Sequence, residues 1–128
     1  MDQRSEAALA HVHPDLCRVM RRAYGSTKQP FIIIHGIRTV AEEAANVAKG
    51  ASQTMHSRHL PNKQGFACAV DVMAVKNGKA DWDAYDYQPI AAAVLQAAHD
   101  ENVVIEWGGN WKTLKDWGHF QLPWAAYP

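Results

Sequence analysis

The sequence predicts an α+β domain in which about three helices alternate with short strands. Three observations lead there. Helix start and stop signals bracket three separate stretches, runs of four to eight apolar or β-branched residues lie between them, and no linker, internal repeat or low-complexity tract interrupts the chain. At 128 residues it has the length of one ordinary domain, enough to bury a hydrophobic core.

The elements follow in order. Residues 14–24 read as a helix: Pro14 suits the first turn, Leu16, Val19, Met20 and Ala23 recur at helical spacing, and Gly25 can end it. The loop Ser26-Thr27-Lys28-Gln29-Pro30 leads to Phe31-Ile32-Ile33-Ile34, a β-branched run of the kind found in buried strands. Thr39 with Glu42 three residues later is a capping-box signature, opening a helix through Ala48 that Gly50 terminates. Residues 51–66 are irregular, punctuated by Pro61, Asn62 and Gly65. Ala67 to Ala74 reads as a strand, followed by the turn signal Asn77-Gly78. Pro89 to Asp100 is Ala-rich and helical, Val103-Val104-Ile105 reads as a strand, Gly108-Gly109 breaks the chain, and His119-Phe120-Gln121-Leu122 forms a last short strand before Pro123.

Composition narrows the function. Thirteen basic residues balance thirteen acidic ones, so no net field draws the chain to nucleic acid or to a membrane. No stretch approaches the roughly 20 apolar residues of a membrane span, and Met1 to Glu6 leads into no signal-peptide run. The expectation is a chain folded in a cytoplasm. Cys17 and Cys68 form no Cys-x-x-Cys pair, and the neighbours of Cys68 offer nothing to lower a thiol pKa; both read as small buried hydrophobes.

Asp71 is the most informative residue. Strand alternation sets Val70 and Val72 on one face and Ala69, Asp71 and Met73 on the other. A carboxylate among such neighbours needs a cation. On Asp71 alone, a structural ion pair with Arg38 is the simpler account. His59 upstream and His119 downstream supply another: two imidazoles and a carboxylate suffice for a catalytic zinc, with water in the fourth position. Asp116, three residues before His119, can reach that water as a base. Spacing alone does not single out this set, since it is not a compact His-Glu-x-x-His pattern and the chain holds seven histidines.

Longer motifs add to it. Ser57-Arg58-His59 followed by Gly65-Phe66-Ala67-Cys68-Ala69-Val70-Asp71 resembles the Ser-x-His…Gly-x-Ala-x-Asp signature of the M15 zinc peptidases. His13-Pro14-Asp15-Leu16, Gly36-Ile37-Arg38-Thr39 with Lys49-Gly50-Ala51-Ser52, Trp107-Gly108-Gly109-Asn110-Trp111 and Asp116-Trp117-Gly118-His119-Phe120-Gln121-Leu122 resemble its branch of phage endolysins of the L-alanyl-D-glutamate endopeptidase type. These matches run in order from about residue 9 to residue 124. The resemblance implies a Hedgehog/D-Ala-D-Ala peptidase-like fold, with a small antiparallel sheet packed with about three helices. It implies one zinc ion on His59, Asp71 and His119, Asp116 as general base, Arg38 stabilising the oxyanion or holding substrate, and Ser57 hydrogen bonding near substrate. This sequence differs from many relatives in carrying His35, rather than Glu, before the Gly-x-Arg. It also inserts Pro61-Asn62-Lys63-Gln64 between His59 and Asp71.

The other histidines and the aromatics have simpler readings. His11 and His13 suit surface or capping positions, and His99 a helix end. His35 ends a strand beside Arg38, where it can contact substrate or support the site. His56 competes with His59 as a ligand, and the signature favours His59. Most tryptophans belong to the core, while Trp107 and Trp111 flank the Gly-Gly turn and are candidates for a substrate groove. The resulting expectation is a single catalytic domain over residues 1–128, without a separate wall-binding domain. It acts as a zinc-dependent endopeptidase on the peptidoglycan stem peptide, works as a monomer, and is held in the host cytoplasm until the membrane is opened. A D,D-carboxypeptidase with the same metal site and a non-catalytic zinc-containing wall-binding module are the alternatives.

Overall fold

A computed structural model describes residues 1–50 and 57–128. Among these residues the chain forms four α-helices, one 3-10 turn and five strands. The helices are α1 (Gln3–Ala8), α2 (Pro14–Ser26), α3 (Val40–Ala48) and α4 (Ala84–Asp100). The strands are β1 (Phe31–His35), β2 (Ala69–Lys76), β3 (Lys79–Asp81), β4 (Glu106–Trp107) and β5 (His119–Gln121). They make one antiparallel sheet in the order β1-β2-β5-β4, with β3 hairpinned onto β2. The small antiparallel sheet with helices is the expected fold class.

Local chemistry explains most boundaries. Thr39 and Glu42 form the capping box, each side chain accepting from the other residue's backbone N–H, at 3.1 and 3.2 Å. His13 caps α2: its Nδ1 accepts from Asp15 N at 3.1 Å. Asn77 and Gly78 both take positive φ and turn β2 into β3, a hairpin whose second strand was too short to read from the sequence. Two expectations are corrected. Helix α4 starts at Ala84, not Pro89, because Asp83 caps it by accepting from Tyr85 N; Pro89 lies inside, where the helix forgoes one hydrogen bond. Val103-Val104-Ile105 is not a strand. Asn102 at φ 58° and the Val103 N to Ala98 O bond wind up the end of α4, and pairing begins only at Glu106.

Helix α1 was not foreseen, because its apolar residues are few. Its role is polar: Asp2 accepts from Ser5 N and Ser5 Oγ, and the buried Ser5 hydroxyl in turn accepts from Ile33 N at 2.9 Å. That chain of bonds fastens the N-terminus to β1. Just beyond β1, Gly36 passes so close that a Cβ there would lie 2.1 Å from the carbonyl oxygen of Ala8.

The sheet has two faces. Phe31 and Ile33 of β1, Val70, Val72 and Ala74 of β2, and Phe120 of β5 are buried in one core with Leu16, Met20, Ile90 and Val94 from α2 and α4. Truncating Phe120 to Ala would cost about 3–5 kcal/mol by the usual scale for such residues. The opposite face carries Asp71, His119 and Gln121, brought together by register: Asp71 pairs with His119 and Ala69 with Gln121. A bulge in β1 interrupts the pairing with β2. Ile33 lies opposite Val72, yet His35 lies opposite Asp71, so Ile34 is the extra residue. The predicted core side of β2 and the side bearing chemistry are therefore separated as strand alternation requires.

Candidate active site

His59, Asp71 and His119 converge. One ligand-type atom from each lies within 4.8 Å of the others. His59 Nε2 is 3.2 Å from Asp71 Oδ2 and His119 Nδ1 is 3.0 Å from Asp71 Oδ1. The two imidazoles are themselves packed edge to face, with ring centroids 5.2 Å apart. Residues far apart in sequence meet because β2 and β5 are neighbours and because the loop before β2 is tied to both sides. Arg38 N donates to His59 O, and Cys68 N donates to Arg58 O.

The remaining ring nitrogens fix the protonation pattern. His59 Nδ1 lies 2.7 Å from Gly36 O, a carbonyl that can only accept, so Nδ1 carries the hydrogen. His119 Nε2 lies 2.8 Å from Gln121 Oε1 and donates to it in the same way. In the neutral rings each other nitrogen then presents a lone pair to Asp71. Two lone pairs facing one carboxylate at about 3 Å repel unless a cation sits among them. A proton on an imidazole meets that need in part; a divalent ion meets it for all three groups. The donor set of two nitrogens and one carboxylate oxygen suits zinc.

The electrostatics agree with that geometry. Burial opposes the charge of Asp71, but hydrogen bonds from His119, His35 and His59 in their protonated forms overcome it and hold the carboxyl well below the usual range. Burial likewise works to lower His119, and the bond to Asp71 outweighs it, leaving this imidazole easier to protonate than a free one. The arrangement stores a negative charge among basic nitrogens.

Around this cluster opens a cavity of about 910 Å³, lined by Arg38, Ser57, Trp111, Asp116 and Trp124, among others. Asp116 reaches it on the loop between β4 and β5. Its backbone N–H donates to Gly108 O, and a side chain on Gly108 would collide with Asp116 O at 2.4 Å. Loss of surrounding water, and then the negative charge of Asp71, push the Asp116 carboxyl upward, with His119 acting in the other direction. A carboxylate raised in this way is a better proton acceptor. Arg38 points NH2 toward Asp71 Oδ2 at 3.9 Å, while its NH1 bonds Glu43 Oε2 at 2.7 Å. Glu43, on α3, is fully buried, at 0 % exposure.

Other expected residues divide. His35 sits 3.4 Å from Asp71 Oδ2 by its Nδ1 and is open to solvent. Ser57 lines the cavity, and its Oγ accepts from His59 N at 3.1 Å. Trp111 also lines it, its ring centroid 5.1 Å from that of His119. Trp107 does not: at 7 % exposure it stacks on Phe120 within the core and donates its Nε1 hydrogen to Trp117 O. Its place on β4, beside β5 on the core side, put it there. His56 lies outside the described residues. Three contributors went unread in the sequence. Gln121 was foreshadowed by its position two residues after His119 on one strand, hence on one face. Glu43 hid beside the capping Glu42. Arg58 is buried by the chain's last residues, donating to Leu122 O and Tyr127 O beneath the Trp124 ring.

Comparison with known proteins matches this arrangement to one family. The profile named "Phage L-alanyl-D-glutamate peptidase" covers residues 1–120. The chain belongs to that family. The peptidase is 34 % identical over 127 residues to the L-alanyl-D-glutamate peptidase of Escherichia phage T5, spanning 96 % of this chain and 88 % of that one. It is 36 % identical over 96 residues to the L-alanyl-D-glutamate peptidase of Listeria phage A118, covering 75 % of this chain but 31 % of the longer relative. The crystal structure of the Serratia marcescens L-Ala D-Glu endopeptidase ChiX superimposes with a TM-score of 0.90 at 44 % identity, over all of this chain and 92 % of that one. The vancomycin-resistance D,D-dipeptidase VanXYg shares the fold at a TM-score of 0.50 and 14 % identity, over 87 % of this peptidase and 50 % of that chain. The M15-like relationship expected from the motifs therefore holds.

Proposed function

We propose that the peptidase is a zinc-dependent endopeptidase that hydrolyses the L-alanyl–D-glutamate bond of the peptidoglycan stem peptide, as a phage endolysin. The observation that carries the metal is the pair of imidazoles whose outer N–H groups are pinned by Gly36 and Gln121, leaving both lone pairs turned on Asp71. The names of the relatives carry the bond.

His59, Asp71 and His119 would hold the zinc ion. Bound there, zinc supplies Lewis-acid polarisation of the scissile carbonyl and makes water acidic enough to lose a proton near neutral pH. The chain's own groups do the rest. Asp116 accepts a proton from the water as its oxygen bonds to the carbonyl carbon of L-alanine. Arg38, held by Glu43, donates N–H groups to the oxygen that gains charge. As the C–N bond breaks, Asp116 returns the proton to the nitrogen of D-glutamate, and the new alanine carboxyl passes its remaining proton to that amine, leaving a carboxylate and an ammonium group. Ser57 steadies the backbone of His59, while Trp111 walls the cavity beside His119 and His35 stands at its edge.

Three measurements test this reading. Elemental analysis should find one zinc per chain, and chelation should abolish wall lysis that added zinc restores. Asp116→Ala should keep its zinc and lose lysis; retained lysis would remove Asp116 from the mechanism, and a binding module would lyse in neither form. Mass analysis of released peptides should find new amino-terminal D-glutamate. Free D-alanine instead would assign the carboxypeptidase reaction.

A further inference from the structure

A second cavity of about 340 Å³ adjoins the first, and the two share His35, Asp71, Lys115 and Asp116. Its remaining walls are of a different character. Trp82, Trp117, Tyr87 and Ile34 line it, whereas the larger cavity carries the cations Arg38 and Lys112.

Trp82 is the unusual member. It is 64 % exposed, although an indole is among the costliest side chains to leave in water. Its backbone is nevertheless firmly held. Asp83 N donates to Asp81 Oδ1, Asp83 caps α4 through Tyr85 N, and the Tyr87 hydroxyl donates to Asp81 O at 2.8 Å. Across the cavity, Trp117 is fixed by its edge-to-face contact with the buried Trp107. The two indoles thus offer aromatic surface to one cavity, with Lys115, whose Nζ lies 5.8 Å from the Trp117 ring centroid, and Asp116 supplying its polar edge.

Given the proposed cleavage, the substrate has two unlike sides. On the amine side of the bond lie D-glutamate and further residues bearing carboxylates. On the acyl side there is a single alanine and then the lactyl ether of N-acetylmuramic acid. One residue spans at most about 3.6 Å, so the sugar must fall in a cavity bordering the reacting groups. Sugars present C–H faces that pack on aromatic rings and hydroxyls that need a polar edge; carboxylates need cations. We propose that the Trp82–Trp117 cavity is the subsite for the N-acetylmuramoyl group, and that the Arg38–Lys112 cavity takes the acidic peptide. This assignment rests on the L-alanyl–D-glutamate reading and fixes the direction in which the substrate lies.

The probe is N-acetylmuramoyl-L-alanine, titrated into the zinc-loaded protein with NMR or calorimetric detection. Wild type should bind it, and Trp82→Ala should bind about tenfold more weakly, the ratio expected for one ring contact. Tyr85→Ala, which removes a still more exposed aromatic outside the cavity, should bind as wild type does. In parallel, KM is compared for a disaccharide-bearing tetrapeptide and the same tetrapeptide without sugar. The wild-type preference for the sugar-bearing form should collapse in Trp82→Ala. Equal binding by wild type and Trp82→Ala, or no binding by wild type, overturns the subsite. Failure to cleave either substrate would instead strike the function, and the titration would still decide what the cavity holds.

Discussion

Substituting Glu43 with Gln tests how Arg38 is presented to the site. The Arg38–Glu43 contact is 2.7 Å, with the Glu43 side chain at 0 % and that of Arg38 at 16 % exposure, so solvent screens little of it. A hydrogen bond to a charged group contributes roughly 1.5–3 kcal/mol net, and a neutral one about 1. Glutamine preserves shape and an acceptor but removes the charge, leaving the Arg38 cation poorly compensated. The expected loss is about 2 kcal/mol in urea unfolding, or about 8 °C in melting temperature for a domain of this length. Because Arg38 also faces Asp71, kcat on stem peptide should fall about tenfold or more through misplacement of the guanidinium, with zinc content unchanged. A double-mutant cycle with Arg38→Ala isolates the pair from other contacts of Glu43. A coupling energy under about 0.5 kcal/mol, the level of ordinary non-interaction, would refute the claim that Glu43 positions Arg38.

Three further outcomes are expected. Gln121→Ala removes the acceptor for His119 Nε2 and should weaken zinc binding about 10- to 100-fold in competition with a chelator, as loss of a ligand's hydrogen-bond partner usually does; unchanged affinity would discount the tautomer argument. Asp116 has its carboxyl pushed up by burial and by Asp71, so its ionised form destabilises the metal-free fold. Asp116→Asn should therefore stabilise the metal-free protein at neutral pH, with the gain vanishing in acid where the native carboxyl is already protonated; a gain independent of pH would point elsewhere. Tyr127 donates to Asp15 at 2.7 Å, which lowers the Asp15 carboxyl against its burial and contributes, after burial, to raising the phenol to about 12. Tyr127→Phe should cost about 1 kcal/mol at pH 7 by the usual worth of one such bond. For the depressed Asp15 that difference is present above its unfolded pKa and shrinks as pH falls through the folded one; for Tyr127 it fades as pH rises toward 12. A gap between the two melting curves that stays constant in acid would contradict this.

Much of the site could be read because its residues violate their surroundings. A carboxylate in an apolar strand has few explanations, so Asp71 stood out, and simple alternation put it on the correct face. Thr39 and Glu42 were legible because a capping box is local chemistry. What escaped depended on partners distant in sequence or on competing local signals. Pro89 mimicked a helix start although Asp83 and Tyr85 had already begun it. The β-branched run at 103–105 looked like a strand, but Asn102 turns the chain before any neighbour is available to pair. Trp107 stood next to the correct motif and faces inward, which only the pairing of β4 with β5 decides. Glu43 could not be distinguished from a solvated helix charge without knowing that Arg38 folds over it.

The irregular step in β1 has a consequence for how this enzyme can be altered. With Ile34 as a supernumerary residue, the imidazole of His35 stands abreast of Asp71 where uninterrupted pairing would have set a branched hydrocarbon. Deleting that single position would straighten the ladder and leave His35 opposite Asp71, without shifting β2 or β5, whose mutual alignment sets His119 beside the same carboxylate. At the present chain length the extra residue is thus what lets an imidazole, and not a hydrocarbon, stand beside the carboxylate, apart from the residues that would grip the ion.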